Sequence, residues 1–207
     1  TAINLTKAMV EMDKKSNYKI STFLTAGAPL TLTTRKFIEE NWQAEVFDSF
    51  GTTETGSLGG ECKKHDGIHI FSDLVYIEVL NQETGKPVKE GEIGELVVTP
   101  LQNQATPLFR YRLNDLVIHS TQPCSCGQTM PRIWFKGRTN NTIFFGSHKV
   151  YDFQIEAALQ NVKGVSTNYN LRVTKEDKKN ILSYIVEVIN DIDTDNKNLK
   201  LELKKAL

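Results

Sequence analysis

Apolar residues recur at helical spacing near the start of the chain. Leu5, Met9 and Met12 share one stripe, so residues 3–15 read as an amphipathic helix. Residues 21–25 (STFLT) read as a short buried strand that runs into Ala26-Gly27-Ala28-Pro29. Thr31 is placed to cap a second helix through Trp42, with Phe37, Ile38 and Trp42 on its inner face. A further strand over residues 45–50 leads into a Gly- and Thr-rich stretch, residues 51–60. Strand, helix, strand and Gly-rich loop form an α/β pattern. In open α/β sheets, ligands bind at the edge where such strands end.

From about His69 the period shortens. Residues 74–80 and 93–99 are β-rich runs, and Glu83-Thr84-Gly85-Lys86-Pro87 between them is a turn. Residues 107–112, 116–120 and 132–136 continue the series, which points to a small barrel or sandwich. After Gly137-Arg138 the texture changes again, and a domain boundary is expected between residues 138 and 139. Residues 142–145 and 148–150 read as a hairpin across Gly146-Ser147. Asp152 is placed to cap a helix to about Asn161. Residues 165–173 and 181–189 read as strands, and 196–207 as a helix.

The bulk numbers narrow the function classes. Hydrophobic residues make up 39% of the chain, with ten Phe and six Tyr, so a real core is expected. Lys+Arg and Asp+Glu both number 25 and cancel, which argues against a nucleic-acid partner. No apolar run reaches the roughly 18 residues of a membrane span, so no membrane association is expected. The three cysteines are an odd number, two of them in Cys124-Ser125-Cys126. That is a poor disulfide framework and fits a reducing cytoplasm.

Three polar constellations are candidates for chemistry. The first is Asp48-Ser49-Phe50-Gly51-Thr52-Thr53-Glu54, after a strand. Gly51 lets a backbone approach a ligand, hydroxyls can hold phosphate oxygens, and a carboxylate can hold Mg2+. Composition alone favours the plainer reading, a polar loop of turn residues. The second is Tyr111-Arg112-Leu113-Asn114-Asp115-Leu116, where Asp115 sits at a strand junction. There it can accept both hydroxyls of a ribose or simply make a turn, the commoner case. The third is Gly137-Arg138-Thr139-Asn140-Asn141, an arginine for phosphate beside a hinge, or a surface arginine in a plain loop.

Taken together and in order, these pieces resemble the core motifs of the acyl-adenylating superfamily. The series is Gly27-Ala28-Pro29-Leu30, Phe50-Gly51-Thr52-Thr53-Glu54, Tyr111-Arg112-x-x-Asp115-Leu116, Gly137-Arg138, Gly146 and Gln154-Ile155-Glu156. Gly60-Glu61-Cys62, Asp66-Gly67-Ile68-His69 and Arg110-Tyr111-Arg112 resemble the phenylacetate–coenzyme A ligase family in particular. The resemblance runs from about Thr22 to Asn161 and lies in the ordered series, not in any single motif.

It implies an α/β fold. Residues 1–138 would be the C-terminal portion of the large adenylating domain, a sheet plus a β-rich subdomain. Residues 139–207 would be a small α+β C-terminal lid. It also implies a two-step ligase that activates a carboxylic acid, of an aryl, phenylacetate-like class, with ATP and Mg2+. The resulting acyl-adenylate then passes its acyl group to coenzyme A. By motif position Glu54 would hold Mg2+ and Thr53 would contact phosphate. Gly27, Ala28, Asp48, Ser49, Phe50, Gly51 and Thr52 would line the nucleotide and acyl pocket. Asp115 would take the ribose hydroxyls, and Arg138 would sit near ribose and phosphate. Asn140 would fall at the hinge, and Gly146 in the loop passed by the pantetheine arm.

Four positions depart from the family pattern. Phe50 stands for the usual Tyr, Leu113-Asn114 for Thr-Gly, Asn140-Asn141 for an acidic hinge and Phe145 for Arg. They keep two rivals open: an adenylating protein with another nucleophile as acceptor, and a catalytically silent scaffold of the same fold. The family's phosphate loop and late lysine have no counterpart in the chain. The expectation is a fragment, inactive alone, whose partner is the N-terminal half of the same protein.

Cys62, His65, His69, Cys124 and Cys126 are candidate metal ligands, and Gly127 after the Cys-x-Cys pair allows a tight knuckle. Zinc takes four N/S ligands in structural sites, and three Cys with one His fit that number. His69 is preferred over His65 as the fourth ligand because it follows the Asp66-Gly67 turn at a strand start. Buried free thiols and a surface histidine pair are the plainer alternative. Some members of the family resembled carry the same Cys and Cys-x-Cys-Gly pattern, which favours structural zinc.

Overall fold

A computed structural model describes residues 2–11, 19–145, 148–151, 154–155, 158–159, 162, 165–176, 179–188 and 197–206. It divides the chain into two compact units, Thr1–Phe135 and Lys136–Leu207, slightly ahead of residue 138.

The first unit begins with α1 (Ala2–Glu11), the strand β1 (Thr22–Thr25) and α2 (Leu32–Trp42). Thr31 caps α2 as its sequence position implies: its hydroxyl oxygen accepts the Thr34 N–H at 3.1 Å. The helix ends where Gln43 turns left-handed at φ 52°. Its inner face buries Ile38 at 1% exposure. Trp42 stacks edge-on against Phe23 of β1 at 5.3 Å and donates its indole N–H to the Thr6 hydroxyl at 2.8 Å. These contacts tie α1, α2 and β1 together. β1 is not buried as expected: Phe23 and Thr25 on one face are half-buried. Alternate side chains of a strand point to opposite faces, and Leu24 on the other face is 72% exposed.

β1 lies parallel to β2 (Glu45–Thr52), with Thr25 opposite Asp48. The remaining strands are β3 (Gly56–Glu61), β4 (Ile68–Ile70), β5 (Val75–Leu80), β6 (Gly94–Pro100), β7 (Tyr111–Ser120) and β8 (Arg132–Arg138). Among the described residues the eight make one sheet in the order β1-β2-β3-β4-β8-β7-β6-β5. The short strands therefore do not close into a separate barrel or sandwich. β4 connects the two halves, pairing with β3 on one side and with β8 on the other.

Three sequence expectations are corrected here. Residues 51–60 form an antiparallel hairpin of β2 and β3, not a loop. Gly51 permits this close approach, since a Cβ there would lie 2.6 Å from the Gly56 carbonyl oxygen. Residues 107–112 and 116–120 are not two strands: β7 is one strand from Tyr111 to Ser120, with a register shift against β6 and a positive φ at Asn114 between Arg112 and Leu116. Asp115 therefore lies inside a strand, not at a junction. The strand start expected at His69 is β4, whose extent is not readable because three residues between turns carry no period.

The core gathers Leu58, Ile68, Val79, Leu96, Val98 and Ile133 among others, with Phe50 and Tyr111 packed against it. Ile133 is wholly buried in β8. Ile133→Ala is expected to lower the unfolding free energy by about 2–5 kcal/mol in urea denaturation.

The second unit pairs β9 (Ile143–Phe145) with β10 (His148–Val150), and β11 (Val165–Glu176) with β12 (Lys179–Val188), both antiparallel. A 3-10 turn, Thr139–Asn141, precedes β9, and α3 (Lys197–Ala206) follows β12. Leu199 and Leu203, one helical turn apart, bury against Ile155, Leu159, Val162 and Val165. The helix expected over 152–161 is seen at Gln154, Ile155, Ala158 and Leu159. Its other residues, Glu156 included, lie outside the described residues.

Candidate functional site

The parallel pairing of β1 and β2 brings their C-terminal ends to one edge of the sheet. Thr25 locks them there. Its hydroxyl donates to the Asp48 carboxylate at 3.1 Å, and its carbonyl accepts the Ser49 hydroxyl at 2.9 Å. Gly27 and Ala28 follow in an exposed turn, with Gly27 at φ 83°. Gly27 and Ala28 thus come two and three residues after the threonine that holds Asp48 and Ser49. Phe50, by contrast, turns its ring onto the core.

The β2–β3 turn carries the next two candidates. Thr52 and Thr55 close its base, their hydroxyls 2.9 Å apart, with the Thr55 N–H donating to Thr52 Oγ1 at 3.2 Å. Thr53 and Glu54 stand exposed at its tip. Asn103, from the loop between β6 and β7, donates its amide to the Glu54 carbonyl at 3.4 Å. That contact brings the β6–β7 loop to the turn. Asp115 lies farther along the sheet, in β7, at 2% exposure. Arg138 and Asn140 are exposed, at the end of β8 and in the 3-10 turn. Gly146 lies outside the described residues.

The Asp48 carboxyl titrates above its ordinary range. Burial drives the shift, the Thr25 hydroxyl opposes it and the nearby Glu61 charge adds to it. A carboxyl with a raised folded pKa binds its proton more tightly when folded. Stability therefore falls as pH rises from about 4 through the folded pKa. Asp48→Asn keeps an acceptor oxygen for Thr25 and Ser49 and removes the charge. Its Tm should exceed that of the unchanged protein at pH 7, and the gain should vanish below about pH 4. Thermal denaturation across pH checks this, and a gain independent of pH would be the wrong result.

A network that sequence reasoning missed stands behind Asp48. Glu61, 8% exposed at the end of β3, accepts both Nη2 bonds of Arg35 at 2.8 and 2.7 Å. It also accepts the Asp48 backbone N–H at 2.9 Å. His65 joins it, with Nδ1 3.2 Å from Glu61 and 2.9 Å from Arg35 Nη1. The only sequence signal was Glu61 beside Cys62. The buried partner, Arg35, comes from a different element and has no local mark.

Next to this network four metal-ligand types converge. Cys62 follows β3, His69 lies in β4, and Cys124 and Cys126 lie in the β7–β8 loop. Their donor atoms all fall within 4.8 Å of one another. Cys62 Sγ is 3.9 Å from Cys124 Sγ, and Cys126 Sγ is 3.7 Å from His69 Nε2. Ligand atoms at zinc bond lengths in a tetrahedron stand about 3.5–3.8 Å apart, so donor set and spacing both fit zinc. His65 is held instead by Arg35 and Glu61 and is not part of the group. The knuckle forms as its glycine allows: the Gly127 N–H donates to the Cys124 carbonyl at 2.9 Å, with φ 92° at Gly127. Burial, with the Arg132 charge adding to it, pushes the His69 ring below its ordinary pKa. It is therefore neutral, the form that ligates a metal. Among the described residues no helix is long and apolar enough to cross a membrane.

A model of the AMP-binding enzyme family matches residues 2–102. A phenylacetate–coenzyme A ligase of Thermus thermophilus is 33% identical over 164 residues, 77% of this chain and 37% of that protein. The ligase of the same name from Escherichia coli is 31% identical over 163 residues, again 77% and 37%. The chain thus spans well under half the length of the curated relatives it matches. Among solved structures, 2-hydroxyisobutyryl-CoA ligase in a postadenylation state matches with TM-score 0.85. It is 22% identical, over 100% of this chain and 47% of that one. At that identity the match speaks for the fold alone, a mixed α/β architecture with a large sheet.

Proposed function

This chain belongs to the phenylacetate–coenzyme A ligase family of adenylate-forming enzymes, and on that footing we propose that its protein activates a carboxylic acid with ATP. The acid's carboxylate attacks the α-phosphate, releasing pyrophosphate, and the thiol of coenzyme A then displaces AMP from the acyl-adenylate. The acid is of an aryl, phenylacetate-like class. The observation that carries this reading is the sheet edge where β1 ends opposite Asp48 of β2, with Asp48 and Ser49 locked to Thr25. Gly27 and Ala28 turn away beside them, and Thr53 and Glu54 stand at the adjoining hairpin tip.

In this proposal Gly27, Ala28 and residues 48–52 line the nucleotide and acyl pocket. Thr53 contacts phosphate and Glu54 holds Mg2+, which balances charge on the phosphates. Asp115 accepts the ribose hydroxyls, and Arg138 pairs with ribose and phosphate. Asn140 is the hinge of a lid formed by residues 139–207, and Gly146 belongs to its coenzyme A channel. The N-terminal half of the family's large domain would complete the site. Positioning and charge stabilisation supply most of the catalysis in such transfers.

Cys62, His69, Cys124 and Cys126 hold a structural zinc. The fit of four N/S donors supports this, and a closed set of four leaves no position open for water. The zinc joins the segment after the hairpin to the β7–β8 loop and takes no part in the chemistry.

The test is AMP release by the intact protein given ATP, Mg2+, coenzyme A and a panel of aryl and fatty carboxylates. AMP formed only with coenzyme A present supports the ligase and identifies the acid. Pyrophosphate exchange without thioester points to a different acceptor. Absence of turnover and of ATP binding, in folded protein, overturns the reading in favour of a silent scaffold, to which the core-facing Phe50 would then belong.

A further inference from the structure

We propose that Arg132 is the clamp that assembles the zinc site from its two distant halves and balances its charge; the inference rests on the zinc reading above. Two ligands, Cys62 and His69, flank the β3–β4 connection, and two, Cys124 and Cys126, lie in the β7–β8 loop. The β4–β8 pairing sets the two segments side by side at the backbone, and a side-chain link is added to it. Arg132 stands between them, directly opposite His69 in the β4–β8 register. Its Nη1 donates to the Asp66 carbonyl at 2.9 Å and to the Asp66 carboxylate, between Cys62 and His69. Its Nη2 donates to the Gln122 carbonyl at 3.4 Å, just ahead of Cys124. One planar fork therefore reaches both ligand-bearing segments. A lysine, with a single point of charge, cannot do so.

The guanidinium is also fixed in place. It lies over the Trp134 ring at 5.1 Å. That ring packs so closely on Gly67 that a Cβ there would come 2.8 Å from it, so the β4 turn is held to β8 as well.

Its burial calls for a counter-charge. The side chain is 7% exposed, whereas its ionic partner Asp66 is 55% exposed and so largely screened by water. Three thiolates around one divalent ion leave a single net negative charge. The guanidinium, directly across the strand pair from His69, is placed to neutralise that charge.

The experiment measures zinc affinity of the intact protein by competition with a chromophoric chelator, for the unchanged protein, Arg132→Met and Arg132→Lys. Arg132→Met should keep one zinc per chain but bind it about 10–100-fold more weakly, the range for residues that support metal ligands. Arg132→Lys should recover only part of the loss, because the charge returns without the fork. The rise in Tm on adding zinc should shrink in the same order. Unchanged protein that binds no zinc sinks the metal reading itself. Unchanged protein that binds zinc, with Arg132→Met within about threefold of it, overturns the clamp and leaves the metal reading standing. Should Arg132→Met fail to fold, full affinity in Arg132→Lys overturns the clamp.

Discussion

Replacing Cys126 with serine is expected to strip the zinc from the protein and to lower its Tm more than any single core truncation. Cys126 Sγ stands 3.7 Å from His69 Nε2, and the four donors lie within 4.8 Å of one another. A serine hydroxyl does not ionise near neutral pH, so it cannot replace the thiolate. Structural zinc sites in small peptides show apparent binding energies of about 10–16 kcal/mol. A buried isoleucine truncated to alanine costs about 2–5 kcal/mol. Even a fraction of the metal energy therefore exceeds the effect of Ile133→Ala. A chelator should reproduce the loss in the unchanged protein and change nothing in Cys126→Ser. Acid should do likewise, because protons compete for the three thiolates and the imidazole. Elemental analysis and thermal denaturation read both effects. A serine variant with full zinc and an unchanged Tm would remove the metal site from consideration.

Asp115→Asn in the intact protein is expected to reduce kcat/KM for ATP by about 10–100-fold. Asparagine has the shape of aspartate, so the buried position in β7 is still filled. What it loses is the charge that, in the proposed site, would strengthen hydrogen bonds to the ribose hydroxyls. Such charge-assisted bonds contribute about 1.5–3 kcal/mol, and each 1.4 kcal/mol is roughly tenfold. The readout is AMP release with the acid identified in the panel. An unchanged kcat/KM would take Asp115 out of the nucleotide site. Equal silence in both proteins would instead favour the scaffold.

The helices and most strands were legible because their signals are short-range. Thr31 caps α2 through a bond to a residue three positions on, and Leu199 and Leu203 repeat at one helical turn. The pairing of β9 with β10 was legible from two strand-like runs only two residues apart. The failures share a cause as well. β4 is three residues long and owes its existence to partners on both sides, β3 and β8. The β2–β3 hairpin was masked by glycines, which lower β propensity yet are required where Gly51 and Gly59 pass close to neighbouring backbone. Asp115 looked like a turn residue because Asn114-Asp115 is turn chemistry, but pairing with β6 on both sides takes that chemistry up in a register shift within β7, with residues 113–115 set against Leu96 alone.

The candidate chemistry divides in the same way. Sequence by itself determined the family, through an ordered series of short motifs, and the set of possible metal ligands, through residue type. It also determined the α/β class, since a capped helix between two apolar runs fits little else. Sequence also favoured His69 over His65 as the fourth member beside the cysteines, through the Asp66-Gly67 turn before it, and tertiary structure shows how the two histidines part. His69 is turned to them by the β4–β8 pairing, whereas His65 is taken up by Arg35 and Glu61. It also decided that the short strands extend one sheet and that Arg132 sits between the two halves of the Cys/His cluster. The physical reason is range. Caps, turns and helical stripes are settled within a few residues. Strand register and buried charge depend on segments far apart in the chain, whose meeting leaves no local mark in either of them.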